Sequence, residues 1–289
     1  MKLPKLWILF FFLPYAIGIL VFILGPVLFS LYMSLTDWSL FGRGKLVGIE
    51  NYLRIFRSPT TGASFVNTVY YVVLVVPTQI VLSVLLALML NVELKTINIF
   101  RAVFFMPFVL SLISVGLIWS WFLSPTFGFV NQVLSFLSLP TVGWLSDPPL
   151  AMPSIAIATL WRNLGYYVTI FLAALQSMPS ELYDAARVDG ARGLHIFSRI
   201  TLPLLTPTIF FSLVVGTIWA WQVFDLTYSM TKGGPGIATL SINLHIYQTA
   251  FFDTELGYAS AQGWMLLVLI LGFTLFYFKG QKLWVFYGE

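Results

Sequence analysis

The apolar residues of this chain come in long runs that no charge interrupts. Charge-free stretches extend from Leu6 to Thr36, Ser58 to Val92, Ala102 to Ser146, Ile200 to Phe224 and Leu256 to Phe278. A helix rises about 1.5 Å per residue, so about 20 apolar residues cross a hydrocarbon layer about 30 Å thick. With Pro, Gly and charge clusters as punctuation, six spans are predicted, at about residues 7–34, 68–90, 102–122, 153–176, 207–224 and 259–278. The expected class is an all-α integral membrane protein, a single transmembrane domain over residues 1–289.

Composition removes the soluble alternatives, since 59% of residues are hydrophobic and 9% charged, against roughly 25% charged in a soluble domain. The apolar run after Lys2 and Lys5 is too long for a signal peptide and is read as a retained first helix. An even number of spans puts both termini on one side. With the N-terminus inside, Lys2, Lys5, Lys95, Arg101, Arg187, Arg192, Arg199, Lys279 and Lys282 face the cytoplasm, while Arg43, Lys45, Arg54, Arg57 and Lys232 lie outside. That bias favours cytoplasmic termini. Trp7, Trp38, Trp121 and Trp144 fall near span ends, where amphipathic rings favour the headgroup level.

The net charge of +4 is scattered, with no basic run interleaved with aromatics, so nucleic acid is not an expected partner. Cysteine is absent, which excludes disulfides and thiolate metal sites. No Gly-x4-Gly-Lys-Ser/Thr loop occurs, because GRGK at residues 42–45 has the wrong spacing. The two histidines, His195 and His245, stand in different loops without a nucleophile and base constellation. No catalytic, cofactor or metal site is expected in this chain.

The most polar stretch, Ser180 to Pro207, is read as two short helices around a turn. Ser180 suits an N-cap, Glu181 suits the positive end of the helix dipole, and Leu182, Ala185 and Ala186 share a face. Gly190 ends the first helix. In the second, Ile196, Phe197 and Ile200 lie on one face and Arg192, His195 and Arg199 on another, until Pro203 and Pro207 redirect the chain. An apolar stripe on a charged loop marks a docking surface.

This segment resembles the EAA loop of permeases of binding-protein-dependent ABC importers. Asp184, Ala185, Ala186, Gly190, Ile200, Leu202 and Pro203 hold that pattern's positions, with Asp189 and Ala191 completing its Asp-Gly-Ala core; Asp184 stands where Glu is usual. LYMSLTDW at 31–38, VGIENYLRIF at 47–56, FRAVFFMP at 100–107, FDLTYSMTKGGP at 224–235 and GYASA at 257–261 resemble further signatures of the MalF/UgpA-like permeases of carbohydrate uptake. The resemblance covers nearly the whole chain. It implies the type I importer permease fold, in a bacterial or archaeal cytoplasmic membrane. It also implies a second homologous permease subunit, a dimer of cytoplasmic ATPase subunits that bind ATP and Mg, and an extracytoplasmic solute-binding protein. The coupling loop docks on the ATPase through Glu181, Asp184, Ala185, Ala186, Asp189, Gly190, Ala191, Arg192 and Phe197. The implied substrate is a sugar, oligosaccharide, glycoside or polyol, or glycerol phosphate.

An ion-coupled secondary transporter is the alternative, and it would need ionisable groups inside the spans. Arg162 and Asp225 are the only charges within or at the edge of them. Both are candidates for the substrate path, with Asn163, Tyr166, Trp221, Gln222 and Tyr228, of which Trp221, Gln222, Asp225 and Tyr228 are expected to share one broad helical face. Two readings stand for Arg162 and Asp225: a buried ion pair that sets helix register, or groups that line the path. Trp221 and Tyr228 are equally well read as packing or interface aromatics.

Overall fold

The computed structural model describes residues 5–42, 44–92 and 97–287. Lys2, Arg43 and Lys95 lie outside the described residues, as do the side chains of Lys5 and Trp7. In chain order the helices are α1 (Phe10–Ser34), α2 (Glu50–Arg57), α3 (Pro59–Leu90), α4 (Ile97–Val109), α5 (Leu112–Phe122), α6 (Phe129–Phe136), α7 (Pro148–Gln176), α8 (Ser180–Val188), α9 (Leu194–Trp221), α10 (Asp225–Thr231), α11 (Ile242–Phe251) and α12 (Leu256–Leu283). Among the described residues no strand forms; two isolated bridges join Thr36 to Leu46 and Ser39 to Gly42. Helices α1, α3, α7, α9 and α12 are each long and apolar enough to cross a membrane, and α4 with α5 supplies a sixth crossing only as a pair bent by 100°. The chain forms two compact units, residues 1–62 with 245–269 and residues 63–244 with 270–289.

In the larger unit, one cluster gathers Tyr71, Val75, Val115, Met152, Ile155, Ala220 and Leu226, and another gathers Ala87, Tyr167, Phe171, Leu172 and Leu205. Two glycines set how closely helices meet. A Cβ on Gly165 of α7 would collide with the Phe104 carbonyl of α4, and one on Gly116 of α5 would collide with Ser229 of α10. The halves of the bent pair are thus each held tightly, by different neighbours. This corrects the expectation of one straight span from Ala102 to Phe122. Pro107 removes a backbone donor, the Leu110 amide donates to the Pro107 carbonyl at 3.2 Å, and Ser111 turns extended at φ −58 and ψ 136.

Two more expectations change. Helix α3 starts at Pro59 rather than near Thr68, because Thr61, Ser64 and Thr68 are fully buried rather than facing water. Pro203 and Pro207 do not redirect the chain; α9 runs through both. A single π-helical turn over Phe197–Thr201, closed by the Leu202 amide donating to the Phe197 carbonyl, precedes Pro203. That wider turn relieves the carbonyl clash that a proline ring otherwise imposes on the preceding turn.

The smaller unit is held by polar contacts. Thr61 hydrogen bonds with His245 Nε2 at 3.0 Å and with the Tyr258 hydroxyl at 2.9 Å, and Gln262 donates to it at 3.4 Å. Arg54 pairs with Glu255 at 2.8 Å and lies over the Tyr258 ring. Asn51 donates to the carbonyls of Ser34 and Thr36, and the Gly257 amide donates to the Trp38 carbonyl. A side chain at 257 would collide with the Thr36 carbonyl. These contacts join LYMSLTDW and VGIENYLRIF, neighbours in sequence, to GYASA, which lies far from both. His245, expected in an outer loop, sits on α11, where burial lowers its pKa and Asp253 partly opposes that shift.

Candidate functional site

A cavity of about 360 Å³ lies within the larger unit, at the small end of the range of roughly 300–1,000 Å³ typical of ligand sites. Helix α3 contributes Tyr71, Val75 and Gln79, spaced by four so that they share a face. Helix α7 contributes Thr159, Arg162, Asn163 and Tyr167, and α9 contributes Ser212, Gly216, Trp219 and Ala220, again at helical spacing. Phe108 and Leu112 reach it from either side of the break between α4 and α5. Gln222, Phe224, Asp225 and Leu226 close it where α9 ends and α10 begins.

Of the residues expected on the substrate path, the structure brings Arg162, Asn163, Gln222 and Asp225 to this one cavity. Tyr166 stands behind the wall, stacked on Phe108 with centroids 4.8 Å apart and packed against Trp219. Trp221 is buried against Phe273, and Tyr228 stacks on Phe224 at 5.5 Å. The broad helical face through Trp221, Gln222, Asp225 and Tyr228 does not form. Helix α9 stops at Trp221, and Phe224, at φ −141 and ψ −58, separates it from α10. Tyr71, Gln79, Phe108, Thr159, Ser212 and Trp219 line the cavity without having been anticipated. Gln79 and Thr159 carried a usable signal, as amide and hydroxyl groups inside otherwise apolar spans.

Arg162 and Asp225 line the cavity without an ion pair. The ion pairs among the described residues are Arg54 with Glu255, Arg57 with Glu50 and Arg187 with Asp184. Arg162 instead donates to Asn163 Oδ1 at 2.8 Å and to the Leu110 carbonyl at 3.4 Å, and stands over the Phe108 ring. Tyr71 shares a hydrogen bond of 2.7 Å with Thr159. Two polar atoms on the wall are left over: Gln79 Oε1 and Ser212 Oγ are buried and have no hydrogen-bond partner. In a lipid-embedded bundle such groups are costly unless something that enters the cavity meets them.

The second candidate region is the loop between α7 and α9. Gly190 takes φ +79 and ends α8, with the Ala191 amide donating to the Ala186 carbonyl and the Gly190 amide to the Arg187 carbonyl. This is a Schellman closure, and it needs a residue at ease in the left-handed region. At the other end Pro179 takes the cap position, and Ser180, expected to cap, is the first helical residue with no side-chain cap hydrogen bond. Pro179 has no N–H to leave unsatisfied there. Gly193, at φ +46, turns the chain into α9. Glu181, Asp184, Ala185, Asp189, Gly190 and Arg192 are exposed, and Ala186, Ala191 and Phe197 are partly so. Leu182, Val188 and Leu194 are also exposed, Val188 by 88%. Tyr183 ties α8 back through its hydroxyl to Thr201 at 3.2 Å.

Residues 46–281 match the family described as the binding-protein-dependent transport system inner membrane component. The chain is 35% identical over 269 residues to the trehalose/maltose transport system permease protein MalF of Thermococcus litoralis, covering 92% of this chain and 90% of that one. It is 36% identical over 273 residues to the lactose transport system permease protein LacF of Rhizobium radiobacter, covering 91% and 90%. Its fold matches a chain of a bacterial alginate ABC transporter, solved in complex with an alginate pentasaccharide-bound periplasmic protein. The TM-score is 0.85 at 26% identity, over 96% of this chain and 94% of that one.

Proposed function

The chain belongs to the inner membrane components of binding-protein-dependent transport systems, and we propose that it is a permease subunit forming half of the translocation path for a carbohydrate. The relatives named for trehalose, maltose and lactose, and the alginate transporter, support the substrate class. The cavity with Arg162, Asn163, Gln222 and Asp225 on its wall is the substrate site in this reading. Its mixture of aromatic rings and polar groups suits a sugar, with C–H faces for the one and hydroxyls for the other. Family membership favours ATP as the energy source over an ion gradient.

The exposed loop at Ser180–Leu194 carries the coupling half of the proposal. A rigid helix closed by Gly190, with apolar Leu182, Val188 and Leu194 facing outward, is built to be gripped by another protein. The partner is a cytoplasmic ATPase dimer that binds ATP and Mg, while this chain binds neither. A second permease completes the path and an extracytoplasmic binding protein delivers the sugar, as the alginate complex with its periplasmic protein supports. Both termini are then cytoplasmic.

Gly190→Val tests this reading. Valine at φ +79 is strained by more than about 1 kcal/mol, which unwinds the closure without touching a span. ATP-driven uptake falls at least tenfold while the chain still inserts and the ATPase still hydrolyses ATP at its basal rate. Normal uptake by this variant ends the coupling proposal.

A further inference from the structure

The cavity wall has a hydrogen-bonding inventory that is out of balance. Arg162 spends two of its five N–H donors on the protein, one on Asn163 Oδ1 and one on the Leu110 carbonyl. Gln79 Oε1 is an acceptor with no donor, on a residue 3% exposed. The Asp225 carboxylate accepts only, and it forms no ion pair. Ser212, fully buried, has a hydroxyl with no partner that can take either role. What these positions ask for is a ligand that both donates and accepts, as a hydroxyl does.

We infer that the cavity is selective for an uncharged, hydroxyl-rich sugar and excludes carbohydrates that carry a carboxylate, phosphate or sulfonate. A hydroxyl donates to Gln79 Oε1 and to the Asp225 carboxylate, and accepts from Ser212 in the same pose. A uronate or sugar phosphate would satisfy Arg162, yet it brings further acceptors to Gln79 Oε1 and sets its charge beside Asp225 in the same small space, in a medium that screens it poorly. A cationic amino sugar would satisfy Asp225, yet it meets the Arg162 guanidinium in the same small space. One charge of each sign leaves the neutral ligand as the one that neither repels. The inference rests on the cavity being the substrate site, and it makes the permease wall a filter in its own right. It also separates this chain from the alginate transporter, which is described as importing an acidic polysaccharide.

The test is equilibrium binding to the assembled importer in lipid nanodiscs without the binding protein, at pH 7. The probes are maltose, trehalose and lactose as neutral sugars, digalacturonate as the acid and the chitosan dimer as the cation. The expected result is that the best neutral sugar binds at least tenfold more tightly than either charged probe. Asp225→Asn removes the negative charge and shifts the neutral-to-uronate ratio at least tenfold toward digalacturonate. Gln79→Met, which keeps volume and loses the acceptor, weakens the neutral sugar without helping the acid, and reports even where the Asp225 variant fails to assemble. Digalacturonate or the chitosan dimer binding wild type as tightly as the neutral sugars overturns the charge selectivity while leaving the site in place. Binding of none of the probes overturns the cavity as a substrate site and the selectivity with it.

Discussion

Helices α1 and α7 cross the same bilayer and are built on opposite terms. Over its most apolar window α1 has no buried residue, whereas α7 is markedly less apolar and half of its window is buried. In a soluble protein the more hydrophobic helix would be the interior one. Here the surrounding medium is hydrocarbon, so α1 needs no protein to cover it and the polar residues of α7 do. Polarity in a span therefore marks the inside of the molecule, and Thr159, Arg162 and Asn163 are where the cavity is found.

The contrast breaks most sharply at Gly165. Gly165→Val places a side chain against the Phe104 backbone, which cannot move aside as a flexible side chain would, and the cost exceeds about 3 kcal/mol. Most of the folded chain is lost, as read from the monodisperse fraction on size-exclusion chromatography. A smaller effect is expected from exchanging the charges. Because Arg162 and Asp225 are not paired, Arg162→Asp combined with Asp225→Arg still inserts but transports sugar at less than a tenth of the normal rate. Full recovery of uptake would return the two residues to a structural role.

The unit that contains α1 draws its order from Thr61, His245 and Tyr258 rather than from α1, and this gives a milder prediction. Burial depresses the His245 pKa below its ordinary 6.5, with Asp253 acting the other way. The unfolded chain then binds more protons than the folded one just below that value. Stability is complete above about pH 6.5 and declines as pH falls through it. The melting temperature drops between pH 7 and pH 5, and His245→Gln flattens that dependence. A dependence that survives the substitution would remove His245 as its cause. The smallest effect belongs to α1 itself. Phe22, 79% exposed, is replaced by Leu with a change within about 0.5 kcal/mol and uptake within a factor of two. A large loss would mean that this face meets protein, not lipid.

How much of this could be read beforehand follows the same logic. Long charge-free runs announced the spans, and Gly190 announced the end of α8, because each is a local property of a few neighbouring residues. The break at Leu110 and Ser111 was not legible. Pro107 and Gly116 lie close by, but the partners that hold the two halves apart, Gly165 against Phe104 and Ser229 against Gly116, are remote in sequence. Pro203 misled for the opposite reason, since a π turn one step upstream accommodates what a regular helix would not, while Pro207 is carried inside the helix that follows. At the cavity, Arg162 and Asp225 stood out as charges among apolar residues. Ser212 gains its meaning only from being unpartnered, and that is a fact about three-dimensional neighbours.

The uninterrupted course of α9 has a mechanical consequence. At about 1.5 Å per residue, its 28 residues form a rod about 42 Å long. Its near end begins at Gly193 in the exposed loop, and its far end carries Trp219 and Ala220 on the cavity wall. No loop lies between them, only the π turn and the two prolines near the loop end. A push or twist applied at Leu194 is therefore carried along one continuous helix to the cavity wall.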